Sequence, residues 1–151
     1  MKKVVIIISL LSILFNLVGC NSNGPTLPKY NNKESYHSEG MQDYTDYCKY
    51  FYGEEKINDF KNNDSFTIVN ESNIDTIKNY FQHFEEIIKE ESFSDKYDFN
   101  CDKQIKLGDY FCIITKEGVN IGDSSYGKFD YYDVYYVDME ERILYFIHSN
   151  S

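Results

Sequence analysis

Three stretches of this 151-residue chain hold residue types that do chemistry when suitably spaced. Gly122-Asp123-Ser124-Ser125-Tyr126-Gly127-Lys128 has the glycines and the lysine of a phosphate-cradling loop. Such a loop also needs Ser or Thr after the lysine to hold magnesium, and a helix N-terminus to receive the phosphate. Phe129 stands in that place and a strand pattern follows, so the stretch reads as a glycine-rich connection. Asp98, Asn100 and Asp102 alternate as calcium ligands do, with Ile105 and Asp109 at the eighth and twelfth places. Lys103 occupies the position where such a loop needs glycine, and Asp109 replaces the bidentate Glu. The stretch reads as a solvated acidic turn, with a weak extracellular calcium site as the alternative. His37, His83 and His148 are far apart and share no ligand spacing, and no G-x-S-x-G elbow is present. The expectation is therefore no catalytic residue, no metal and no cofactor. Paired-carboxylate hydrolysis stays open on inventory alone.

The remaining feature is a tyrosine-dense hairpin, Phe129–Val137 and Arg142–His148 around Asp138-Met139-Glu140-Glu141. Pairing Val137 with Arg142 puts Tyr132, Val134, Tyr136, Ile143, Tyr145 and Ile147 on one side. Tyr131, Asp133, Tyr135, Leu144, Phe146 and His148 then share the other. A one-residue slip would exchange the two sides. Tyr131, Tyr135, Leu144 and Phe146 are the candidate binding face, because a contiguous aromatic patch marks an interaction site. The competing reading is that residues 41–60 cover this face as core.

Several elements must position that hairpin. Ser65–Val69 has the β-branched and aromatic content of a strand. Next, Ile74, Ile77, Phe81, Phe84 and Ile88 repeat at three and four residues, with Tyr80 and Ile87 alongside, which predicts an amphipathic helix capped by Ser72. Burying the five stripe residues contributes roughly 10 kcal/mol before entropy, so the helix must lie on something apolar. His83 falls at the stripe's edge. Tyr110–Lys116 is nearly continuous apolar and predicts a central strand. Tyr44, Tyr47, Cys48 and Phe51 share one side of a helix, closed by Gly53, with Ile57 and Phe60 docking a short turn. The fold class is α+β: a small antiparallel sheet (strand, helix, three-strand meander) with one main helix packed on it.

The first twenty residues are of another kind. Lys2 and Lys3 precede an apolar run from Val4 to Val18, about fifteen residues and too short for a permanent span of about twenty. The run ends Leu17-Val18-Gly19-Cys20, which resembles the lipobox of bacterial lipoproteins position by position. The resemblance covers the leader alone. It implies diacylglycerol transfer to the Cys20 sulfur, cleavage after Gly19 and often a further acyl (palmitate-type) chain on the new amino group. Two or more chains hold a protein lastingly on a membrane. The expected organisation is a signal peptide at 1–19, a lipidated N-terminus and disordered tether at 20–40, and a single α+β domain at 41–151. As a flexible coil that tether would span about 25 Å. The expected site of action is the extracytoplasmic side of the cell membrane.

Composition narrows the partners. The chain has 25 acidic against 15 basic residues, a formal net charge of −10, and loss of Lys2 and Lys3 with the leader makes it more acidic still. Phosphates repel such a surface, which excludes nucleic acid and leaves protein or cell-envelope ligands as partners. Fifteen tyrosines and eleven phenylalanines without tryptophan suffice for one small core. With Cys20 assigned to lipid, Cys48, Cys101 and Cys112 form an odd set. Cys48–Cys101 is the expected disulfide if one forms, and Cys112 a buried thiol. The sequence thus points to a non-catalytic binding or accessory module at the membrane surface, with a small acidic hydrolase as the alternative.

Overall fold

A computed structural model describes residues 24–38, 44–116, 118–119 and 129–150. Cys20, the leader and the glycine-rich stretch 122–128 lie outside the described residues. The fold is α+β, as the sequence indicates. Seven antiparallel strands form one sheet: β1 (Asn32–His37), β2 (Tyr44–Phe51), β3 (Thr67–Ile68), β4 (Tyr110–Thr115), β5 (Gly118–Val119), β6 (Tyr131–Asp138) and β7 (Ile143–Asn150). Their spatial order is β1-β2-β7-β6-β4-β3, with β5 paired to β4. Among the described residues three α-helical segments accompany it: α1 (Glu54–Ile57), α2 (Ile74–Ile87) and α3 (Cys101–Gln104).

One side of the sheet is the helix side. Ile77, Phe81 and Phe84 of α2 are fully buried and share one cluster with Tyr47, Phe111, Ile113, Tyr132, Val134, Tyr136, Tyr145 and Ile147. The periodic stripe therefore does what its spacing requires. Its N-terminus differs in detail: Asn73, not Ser72, takes the cap position. The Asn73 amide binds Ile68 O and Asn70 N, which ties the helix start to β3. The Ser72 hydroxyl turns to Asn70 instead.

The opposite, lobe side is covered by Tyr52, Ile57, Phe60 and Phe66, which pack on Cys112, Ile114, Val137 and Leu144 with Leu27 against them. Two edge-on ring contacts hold the lobe together, Tyr52–Phe60 at 5.2 Å and Phe60–Phe66 at 4.8 Å. Ile57 and Phe60 dock as the sequence indicates.

The sheet is larger than its sequence pattern suggests, because two expected non-strands are strands. Residues 44–51 form β2, not a helix. Tyr44 and Cys48 project to the lobe side and Tyr47 and Phe51 to the helix side, as their partners Asn150, Phe146, Ile147 and Ile143 do. Both sides of β2 meet other groups, so no clean alternation shows in its sequence and the apolar residues imitate a helical period. The expected tether is also corrected. Residues 32–37 form β1, and Asn31 N–H already donates to Phe51 O at 2.8 Å. The Tyr30 ring meets Tyr50 edge-on at 5.0 Å. Upstream, a Cβ added at Gly24 would lie 2.9 Å from the Tyr135 hydroxyl, so the chain passes directly over that ring. The folded domain thus includes the described residues from Gly24 onward and does not begin at residue 41.

Smaller corrections follow. Ser65–Val69 contracts to a two-residue strand, Thr67–Ile68, paired with Phe111 and Tyr110 of β4. The β6–β7 register pairs Val137 with Leu144, two residues from the expected register. The turn is Met139–Arg142: Asp138 Oδ1 accepts from the amides of Glu140 and Glu141, and Arg142 takes φ 59°. A two-residue shift preserves parity, so every hairpin residue keeps its expected side. Cys48, Cys101 and Cys112 are free and buried, and the expected Cys48–Cys101 bridge is not formed. Cys48 projects to the lobe side, whereas Cys101 packs in the α2 cluster. Burial raises the Cys112 thiol to about 11.

Phe81 has no exposed surface and touches Phe99 at 4.2 Å between ring centroids. The Phe81→Ala variant is expected to lose about 3–5 kcal/mol of unfolding free energy in urea, as a large core truncation does. A loss under about 1 kcal/mol would mean that α2 is not seated on the sheet.

Candidate functional site

The candidate binding face Tyr131, Tyr135, Leu144 and Phe146 does share one side of the sheet, but most of it is not open. Leu144 is fully buried beneath the lobe. Tyr135 lies under Gly24, with its ring 6.4 Å from Phe66 and 4.7 Å from Phe146. Phe146 and Tyr131 are half-buried as Tyr135 is, and Tyr131 lies at the end of the sheet that the described lobe residues do not reach. The Leu144 end is packed as core, with its cover from residues 24–31 and 52–66.

At that end, which no described lobe residue covers, the sheet brings together four titratable residues from four strands. Register places His37 of β1 opposite Asp46 of β2, Asp46 opposite His148 of β7, and His148 opposite Asp133 of β6. Directly opposed side chains project to the same side of an antiparallel sheet. The result is a straight row of alternating imidazole and carboxylate. His148 Nδ1 donates to Asp133 Oδ1 at 2.6 Å, and His37 Nδ1 to Asp46 Oδ1 at 2.7 Å. Both distances suit charge-assisted bonds.

The two pairs differ in exposure. The His148 and Asp133 side chains are 6% and 14% exposed, those of His37 and Asp46 59% and 23%. The inner pair is also walled by rings. Tyr44 stacks on His148 with centroids 4.6 Å apart, and Tyr131 meets it edge-on at 5.3 Å. The Tyr131 hydroxyl reaches Asp133 Oδ2 at 3.5 Å. With Nδ1 committed to Asp133, the remaining ring nitrogen of His148, Nε2, is buried and has no partner among the described residues. Asp133 therefore orients the ring, and the outer face of the site consists of Tyr44, Asp46, His37 and Tyr131.

Hydrolysis by paired carboxylates requires two acids facing across a cleft, one protonated and one not. Asp46 and Asp133 instead lie in one row, each bonded to its own histidine. Carboxylates between tyrosine rings suit a ligand with hydrogen-bond donors or a positive charge.

The other chemically suggestive residues have structural partners. Asp98 accepts from the Tyr47 hydroxyl at 2.6 Å and from Lys49 at 2.8 Å, which hold its carboxyl below the ordinary range despite its desolvation. Asn100 caps α3 through Lys103 N, and Asp102 pairs with Lys78 at 3.6 Å. Asp109 is buried and accepts from Met139 N and the Tyr136 hydroxyl, with burial raising its pKa. The three acids of the possible calcium loop thus point at three different partners, and no described group of three His, Cys, Asp or Glu forms a metal cluster. His83 stacks on Phe129 at 4.2 Å and bonds the Tyr132 hydroxyl at 3.1 Å, and desolvation lowers its pKa.

Sequence reasoning placed Asp133 and His148 on one side but did not single them out. It missed Asp46 and His37 as site residues, since neither β1 nor β2 was expected as a strand. No protein-family model, curated protein or solved structure matches the chain.

Replacing the two histidines separates the inner from the outer pair. His148→Ala leaves Asp133 enclosed without its donor and is expected to cost about 2–4 kcal/mol in chemical denaturation. His37→Ala removes an exposed partner and is expected to cost at most about 1 kcal/mol. Equal effects would contradict the assignment of His148 as the enclosed member of the row.

Proposed function

We propose that this chain is an exported bacterial lipoprotein, fixed by Cys20 to the extracytoplasmic side of the membrane. Its domain acts there as a non-catalytic binding or accessory module. Localisation rests on Lys2-Lys3, the apolar run and Leu17-Val18-Gly19-Cys20. The binding role rests on one observation: the His37–Asp46–His148–Asp133 row, bracketed by Tyr44 and Tyr131 at the end of the sheet that no described lobe residue covers. Among the four, the inner pair is enclosed and sets geometry, while Asp46 and the Tyr44 ring, 40% exposed, face outward. A rim of carboxylate and aromatic rings selects a polar cell-envelope ligand that carries donors or a cation. The chain's acidity disfavours nucleic acid in the same way.

Cells fed labelled palmitate are expected to incorporate it into the native protein and not into Cys20→Ala. The lipidated Tyr44→Ala/Asp46→Ala double variant is expected to keep the label and the fold while photo-crosslinking to envelope components falls about tenfold, equivalent to ~1.4 kcal/mol. Equal labelling of Cys20→Ala would remove the anchor. Undiminished crosslinking by the double variant would remove the rim.

A further inference from the structure

We propose that the lobe side of the sheet, with the Tyr44–Asp46 rim, lies against the phospholipid headgroups of the membrane that holds Cys20, while α2 points away from it. The orientation rests on the anchor at Cys20 proposed above and names the partner of the same rim.

Reach is the first reason. The described chain starts at Gly24, on the lobe side and against the Tyr135 hydroxyl. Three residues lie between Cys20 and Gly24, and the four Cα–Cα steps span at most about 14 Å fully extended. A free twenty-residue coil would average about 25 Å and allow any orientation. The helix lies behind the sheet at about 10 Å, and its own width adds about 10 Å. A ~14 Å tether leaving the lobe side cannot pass around the sheet edge and bring the outer surface of α2 to the bilayer.

Surface chemistry is the second reason, and it is independent of the tether. Among the described residues, four large apolar side chains are exposed: Tyr30, Tyr44, Ile68 and Leu107. Three belong to the lobe side. Tyr30 packs on Tyr50, Tyr44 on His148, and Ile68 is paired with Tyr110 of the lobe cluster. Tyrosine is the residue type that settles at the headgroup level, with its ring in the apolar region and its hydroxyl wet.

Asp46 is the more open of the two carboxylates in the row, its side chain 23% exposed, and a headgroup ammonium is the cation it would meet between Tyr44 and Tyr131.

The chain has no tryptophan, so single reporters are clean. Lipidated Tyr44→Trp and Glu85→Trp variants, the second on the exposed side of α2, are reconstituted in phosphatidylethanolamine/phosphatidylglycerol vesicles carrying headgroup spin labels. Emission from the Tyr44→Trp protein is expected to be quenched several-fold more strongly than that from the Glu85→Trp protein. Tyr30→Trp serves as a second lobe-side reporter if the first folds poorly. In parallel, the mature chain beginning at Cys20 is coupled through that thiol to maleimide lipid. Cys48, Cys101 and Cys112 are buried and spared. This arm fixes the tether length whether or not cells lipidate Cys20. Missing palmitate with asymmetric quenching in the coupled arm would overturn the anchor and keep the orientation. Equal or reversed quenching would overturn the orientation, as it would if the rim served a protein ligand held clear of the bilayer.

Discussion

The β6–β7 pair must be dry on both sides, and most of the structure follows from that requirement. Tyr132, Val134, Tyr136, Val137, Leu144 and Ile147 have no exposed surface, yet they alternate between the two sides of the sheet. Four of them face α2, and Val137 and Leu144 face the lobe. One fourteen-residue helix covers one side only. The other side takes its cover from residues 52–66 and from the N-terminal passage over Tyr135 and Tyr50. Each buried aromatic ring excludes on the order of 150–250 Å² from water, so neither cover is dispensable in a domain this small.

So many buried tyrosines impose a second demand, since a hydroxyl taken from water needs a partner. Tyr47 donates to Asp98, Tyr136 reaches Asp109 and Gln104 O, Tyr145 accepts from Gln104, and Tyr132 bonds His83. Burial, with Asp98 nearby, raises Tyr145 to about 12. The segment between α2 and β4 thus supplies polar groups to the core tyrosines, which explains why the alternating acids at 98–109 are structural. The His37–Asp46–His148–Asp133 row lies beyond the described residues of the lobe, and the same kind of polar pairing is partly exposed there.

What the sequence revealed and what it hid divides along the same line. The α2 stripe, β4, β6, β7 and the sidedness of the hairpin are legible because each has a strong period or a continuous apolar run. The register error of two residues came from Asp138 and Arg142, whose turn geometry is set by side-chain capping and a left-handed backbone rather than by hydropathy. β2 is hidden because its two faces are both occupied, so alternation is lost. β1 is hidden because it is a polar edge strand, NKESYH, stabilised by backbone pairing with β2 instead of apolar burial. Since the site spans β1, β2, β7 and β6, half of it was out of reach while those two strands went unrecognised. Pro25 and Pro28, natural signs of a linker, here belong to an extended segment lying on the sheet.

The account depends on residues 24–38 being part of the fold, because they complete the cover, supply His37 and shorten the tether. Amide hydrogen exchange on the mature protein tests this most directly. The amide of Asn31 and the β2-facing amides of β1 are predicted to exchange orders of magnitude slower than a free chain, with protection lost together with that of β2 on addition of denaturant. Exchange at free-chain rates throughout 24–38, with β6 and β7 still protected, would contradict it.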